Sequence, residues 1–168
     1  MADFFSNLSD NYPYLCIVLL TLVPALELRA SIPYGILVAD ENWLVVAAVA
    51  IAANIVLGPV VFFVLDKFMH LLLRIPLVDK LWNRMILKTQ RKIHPMVEKY
   101  GVLGLSAFIG VPLPGSGVYS GAIGGYLLGF TKREFYIATV IGVLIAATAV
   151  TAVVMTGAGT LDLFIKKV

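Results

Sequence analysis

The chain has 168 residues, 60% of them hydrophobic and 14% charged, with a formal net charge of +3. That balance excludes an ordinary soluble domain and leaves no length for a soluble catalytic one. Several apolar runs exceed the roughly 18–20 residues that cross a bilayer, so the chain reads as a single, integral membrane domain. One cysteine, Cys16, excludes an internal disulfide, and the N-terminus lacks the basic region and cleavage site of a secretory signal.

Residues 1–12 carry Asp3 and Asp10 but no Lys or Arg. The apolar run 13–22 leads into VPALELRASIPYGILVA at Val23–Ala39, where Glu27 and Arg29 lie between Pro24 and Pro33. Each charge costs roughly 2.5–3.5 kcal/mol at the centre of a membrane helix, which makes such residues candidates for function. The prolines argue against one unbroken helix and for a broken or re-entrant hairpin with a buried tip. After a polar gap at Asp40–Asn42, Trp43–Leu65 predicts a full transmembrane helix with Trp43 as interfacial anchor. Its Asn54 predicts an interhelical hydrogen bond or a cavity-lining amide, and Gly58-Pro59 predicts a kink.

Residues 66–100 change character. The preceding helix is expected to run on from Asp66 towards Arg74. From Val78, apolar residues recur at helical spacing opposite Lys80, Arg84, Lys88, Arg91 and Lys92, which predicts an amphipathic helix in the membrane interface. Eight of the 13 Lys and Arg residues fall in this segment, so it is expected in the cytoplasm. Val102–Val111 is apolar and too short to span. PLPGSG at Pro112–Gly117 follows, then a small-residue helix through Gly121, Gly124, Gly125 and Gly129. The polar turn Thr131–Glu134 precedes a second expected span at Phe135–Thr156.

The organisation therefore repeats: a broken apolar stretch and a full span in residues 1–65, a linker over 66–100, and the same again in 101–168. If both broken stretches are hairpins, ten basic residues lie inside and two outside. If both span, the second stretch carries Lys132 and Arg133 outside and the acidic N-terminus lies inside. The positive-inside bias favours hairpins. The expected fold is an all-α polytopic membrane protein. It has two opposed re-entrant helical hairpins in an inverted repeat, two full transmembrane helices and one amphipathic linker helix. The hairpin tips would meet near the midplane, as in secondary transporters.

The candidate site follows from that placement. Glu27 and Arg29 read either as a neutral pair that makes the tip tolerable in lipid, or as a proton-coupled anion site. In the second reading a carboxyl group away from water exchanges a proton near neutral pH, and the guanidinium holds a phosphate or carboxylate. Ser31 and Pro33 belong to the same tip, and Asn54 joins it if it lines the cavity. Pro112, Pro114, Gly115, Ser116 and Gly117 read either as a self-satisfied turn or as a backbone cradle. In the cradle, Ser116 caps a helix starting at Gly117 or Val118, whose N–H groups face an anion. The glycine spacing at 121, 125 and 129 predicts close helix packing, within the chain or with a second copy. His70 and His94 have no third ligand at a plausible spacing, so no metal and no cofactor are expected. No nucleophile–base set points to an enzyme, and nothing points to nucleic acid.

ELRASIPYGI at Glu27–Ile36 and KYGVLGLSAFIGVPLPGSGVYSGAIGGYLLG at Lys99–Gly129 resemble the bacterial and archaeal family labelled putative small multidrug export proteins. The likeness covers nearly the whole chain. That family is distantly similar to the DedA superfamily, which carries two opposed re-entrant hairpins and is linked to flipping of lipids, polyprenyl phosphates among them. The resemblance implies that Glu27 is the acidic residue of the first hairpin and Pro112–Gly117 the tip of the second. DedA members typically carry an arginine in the second hairpin; here no Lys or Arg stands between Lys99 and Lys132.

The expectation is a proton-coupled transporter of a small or amphipathic anion such as a lipid phosphate. It would sit in the plasma (inner) membrane, surrounded by lipids and paired as a homodimer because four elements cannot enclose a large cavity. Export of cationic amphiphiles and a non-transporting scaffold or assembly factor are the alternatives.

Overall fold

The computed structural model describes residues 11–24, 26–72, 100–112 and 116–165. Among these all the regular secondary structure is helical: α1 Pro13–Leu22, α2 Glu27–Leu37, α3 Trp43–Leu72, α4 Val102–Gly110, α5 Val118–Leu127 and α6 Lys132–Ile165. The amphipathic helix expected from Val78 lies outside the described residues. Only α3 and α6 contain described stretches long and apolar enough to cross a bilayer, Trp43–Lys67 (25 residues) and Lys132–Gly157 (26 residues), each with mean hydropathy 2.5. Val56, Val60, Phe63 and Val64 on α3 are exposed, as a helix solvated by lipid requires. The chain is a membrane protein.

Both spans start on side-chain caps. Asn42 Oδ1 accepts from the Leu44 N–H at 2.9 Å and fixes the start of α3. At α6, the Thr131 N–H and hydroxyl donate to Glu134 Oε2, both at 2.8 Å, while the Glu134 N–H donates back to Thr131 Oγ1. This capping box starts the helix at Lys132, three residues before the expected Phe135, and turns the expected polar loop into its first turn.

By internal packing the chain divides into two units, Met1–Asn54 with Ala146–Val168, and Ile55–Ile145. In the first, α1 and α2 pack as an antiparallel pair. Their ten and eleven residues make helices of roughly 15–16 Å, about half the hydrocarbon core. Ile17 and Val46 close over Gly35, where a Cβ would sit 2.5 Å from Val46 and force its side chain aside. The two outer ends meet: the Tyr14 hydroxyl donates to Glu41 Oε2 at 2.6 Å. The link around Pro24 is a tight turn in which the Val23 carbonyl accepts from the Leu26 and Glu27 N–H groups. The break thus falls at the first proline; Pro33 is carried inside α2, where it lacks the N–H that would reach the Arg29 carbonyl.

In the second unit α4 and α5 form another antiparallel pair. A Cβ on Gly121 would lie 2.5 Å from Ile109, and one on Gly125 3.2 Å from Leu105, so the glycine face packs within the chain. Gly129 is not part of that face: α5 ends at Leu127, and Gly129, at φ 75°, belongs to the turn beyond it. The α6 helix crosses α4 at Gly142, where a Cβ would sit 2.6 Å from Ile109 Cβ and 2.8 Å from the Ser106 carbonyl oxygen. Phe135 on α6 stacks on Phe62 of α3 at 4.6 Å between ring centroids. One turn further out Lys132 pairs with Asp66 at 2.7 Å.

Candidate functional site

Glu27 is the first residue of α2 and is 5% exposed. Its φ is 45°, in the left-handed region that side-chain-bearing residues avoid at a cost of about 1–3 kcal/mol. Such strain concentrates at working sites. The carboxylate stands in the first helical turn, where the helix dipole favours negative charge. Arg29, half-buried two residues on, is close enough for the charge of Glu27 to act on its guanidinium. In a regular helix residues i and i+2 point apart; the left-handed entry takes Glu27 off that path. The tip therefore holds an acidic and a basic group that influence each other, largely out of water.

Ser31 is fully buried one turn below. The Thr21 hydroxyl lies 2.8 Å from both Ser31 Oγ and the Ile17 carbonyl, and its one proton serves one of them at a time. Ser31 thus ties α2 to α1 behind the charged tip. Pro33 is half-buried on the same helix. Tyr14–Glu41 and Thr21–Ser31 together fix the register of the pair, so Glu27 and Arg29 are held at the end of a braced hairpin.

Asn54 departs from expectation. It is fully buried, and neither its amide nitrogen nor its oxygen has a hydrogen-bond partner among the described residues. The expected interhelical bond is absent there. Leaving a buried amide unpaired costs about 1–3 kcal/mol; Thr139 and Thr151 carry buried hydroxyls in the same condition.

In the second hairpin Pro114 and Gly115 lie outside the described residues. Pro112 is exposed at the end of α4. The Ser116 hydroxyl donates back to the Val111 carbonyl and makes no cap on α5, whose N-cap is Gly117. Capping is denied to Ser116 by the loop it closes. Gly117, at φ 109°, provides the turn into α5 that other residues would resist. Ser116 and Gly117 are both buried. Among the described residues no group of three His, Cys, Asp or Glu is placed to hold a metal ion.

Two features escaped sequence reasoning. The left-handed backbone at Glu27 has no signature, since glutamate rarely adopts it. The unpaired Thr151 could be found only from its neighbours. The capping box did have a signal, the T-x-x-E spacing of Thr131 and Glu134.

A family model described as "Putative small multi-drug export protein" matches residues 27–149. No curated protein and no solved structure matches the chain.

Proposed function

We propose that this chain, which belongs to the family of putative small multi-drug export proteins, is a proton-coupled transporter of amphipathic organic compounds. The observation that carries the reading is Glu27, buried and with a left-handed backbone, two residues from the half-buried Arg29. While Glu27 is ionised it offsets the guanidinium; once protonated it leaves Arg29 to an anion. Proton and anion then bind together, and Glu27 is the proton carrier. The family name supports export. It also favours a second reading in which a cationic amphiphile displaces the proton at Glu27, which couples opposite movements. A lipid phosphate is the finer form of the first reading.

Arg29 separates the two. In proteoliposomes Arg29→Ala is expected to weaken anionic substrates roughly tenfold or more, since a charge-assisted hydrogen bond contributes about 1.5–3 kcal/mol. Cationic substrates should be unaffected or improved. Equal loss for both would make Arg29 a structural partner of Glu27 and remove the anion reading.

The same proposal makes both helix pairs re-entrant and the protein an inverted repeat in the plasma (inner) membrane, as a homodimer. The short lengths of α1 and α2 support this, as does the Tyr14–Glu41 bond that returns the chain to where it entered. The Asp66–Lys132 pair sets the start of α6 beside the end of the first span. Basic residues in 66–100 favour the cytoplasm for that side. In a Cys16→Ala background, single cysteines at Tyr12 and Glu41 should label only from outside, and those at Lys88 and Thr131 only from inside. Labelling of Tyr12 and Glu41 from opposite sides would show that the first pair spans.

A further inference from the structure

Within the first unit α3 and α6 part to leave a groove of about 470 Å³, inside the range of roughly 300–1,000 Å³ typical of small-molecule sites. Trp43, Ala47 and Ile51 line it from α3, one residue per turn; the face of α6 from Ala147 to Met155 lines it from the other side. Each wall covers eight helical steps, about 12 Å. No charged residue lines it. Trp43, the first residue of α3, marks the end nearest the headgroups.

Two threonines, Thr148 and Thr151, interrupt the apolar lining. Thr148 has an interaction partner elsewhere in the protein, which leaves Thr151, at mid-depth, as the hydroxyl open to an occupant. It lines the groove, is 8% exposed, and its Oγ1 has no hydrogen-bond partner among the described residues. A threonine inside a helix ordinarily bonds to the carbonyl four residues back, as Thr156 does to Ala152 at 2.8 Å. Thr151 forgoes that bond. An acyl chain of the surrounding lipid would fill the groove but offers the hydroxyl nothing at hydrocarbon depth.

We infer that this groove binds the apolar body of the exported compound, and that the body carries one hydrogen-bonding atom about midway along its length, where Thr151 meets it. The inference rests on the transport reading above and names the substrate class: slender amphiphiles with an apolar, aryl or alkyl body interrupted by a single amide, ester or sulfonamide. The charged end of such a compound lies outside the groove.

Trp82→Phe leaves Trp43 as the sole tryptophan. This protein, in phosphatidylcholine vesicles, is titrated with dansyl hexylamide, a neutral probe whose sulfonamide stands between its ring and its chain, and energy transfer from Trp43 is recorded. Transfer should saturate. Thr151→Val should weaken the apparent affinity about three- to tenfold, the loss of one hydrogen bond. Ala47→Phe and Ala152→Phe, filling the groove from opposite walls, should each abolish the saturable part. Transfer that rises linearly and ignores both filling variants would mean that lipid occupies the groove. Filling variants that disperse a cross-linked dimer would mean that a second copy does. An unchanged affinity in Thr151→Val would remove the hydrogen-bonding atom. Any of these overturns the inference. Binding is read without a proton gradient, so saturable binding beside absent proton-coupled flux would sink only the proposed function. Flux without saturable binding would sink only this inference.

Discussion

Replacing Glu27 with glutamine is expected to reduce proton-driven transport to the level of empty vesicles while the protein remains folded. The substitution keeps the size of the side chain and its place in the first turn of α2. It removes the only acidic group in α1 or α2. An amide cannot exchange a proton near neutral pH, so a gradient has nothing to act on. Substrate-driven exchange in the absence of a gradient should survive in part, because Arg29 remains. The fold should survive too: the pair is braced by Thr21–Ser31 and Tyr14–Glu41, neither of which involves Glu27. The checks are flux into proteoliposomes with and without an imposed pH gradient, and an unchanged elution profile in detergent. Full gradient-driven flux in Glu27→Gln would end the proton role and leave the neutral-pair reading of Glu27 and Arg29.

Gly142→Ala is expected to be the most damaging small substitution in the second unit. The added methyl would meet Ile109 Cβ at 2.6 Å, its Cγ2 at 2.7 Å and the Ser106 carbonyl oxygen at 2.8 Å. Neither a branched Cβ nor a backbone oxygen can swing aside, so α4 and α6 must separate. Overpacking of this kind costs about 1–3 kcal/mol, more where backbone must shift, and lowers the melting temperature by several degrees. Gly157→Ala, on the same helix, has no described atom within 4 Å of its new Cβ. It should be neutral or stabilising by up to about 1 kcal/mol, through helix propensity alone. Thermal unfolding of the two variants in detergent tests the difference. Equal melting temperatures would mean that the α4–α6 crossing is loose.

Much of this was legible in the sequence because the controlling forces are local. The spans follow from long apolar runs, and the gap before Trp43 from three polar residues in succession. Pro24 marks the turn, and Gly121 and Gly125 mark a helix contact by their spacing. The early start of α6 was equally local, written in Thr131 and Glu134, but its polar residues read as a loop. Other features are set by partners far along the chain. Pro33 sits inside a helix because α1 packs along α2 and holds it. Ser116 turns from cap to loop closure because Val111 is within reach. Asn54 and Thr151 look like ordinary hydrogen-bonding residues until the fold leaves their buried polar atoms without a partner among the described residues. The charged tip lies between these cases: Glu27 and Arg29 announce themselves by composition, whereas the left-handed backbone at Glu27 does not.

Under the proton-carrier role proposed for Glu27, its left-handed backbone sets stability and activity against each other at one position. Glycine occupies the left-handed region freely, so a Glu27→Gly change would relieve the strain and give up the carboxylate in the same step. Selection for yield alone, as in prolonged laboratory expression, would drift towards that glycine. Selection for transport would resist it. Few residues put the two pressures so directly in opposition, which makes the codon for Glu27 a gauge of what a population of these molecules is being asked to do.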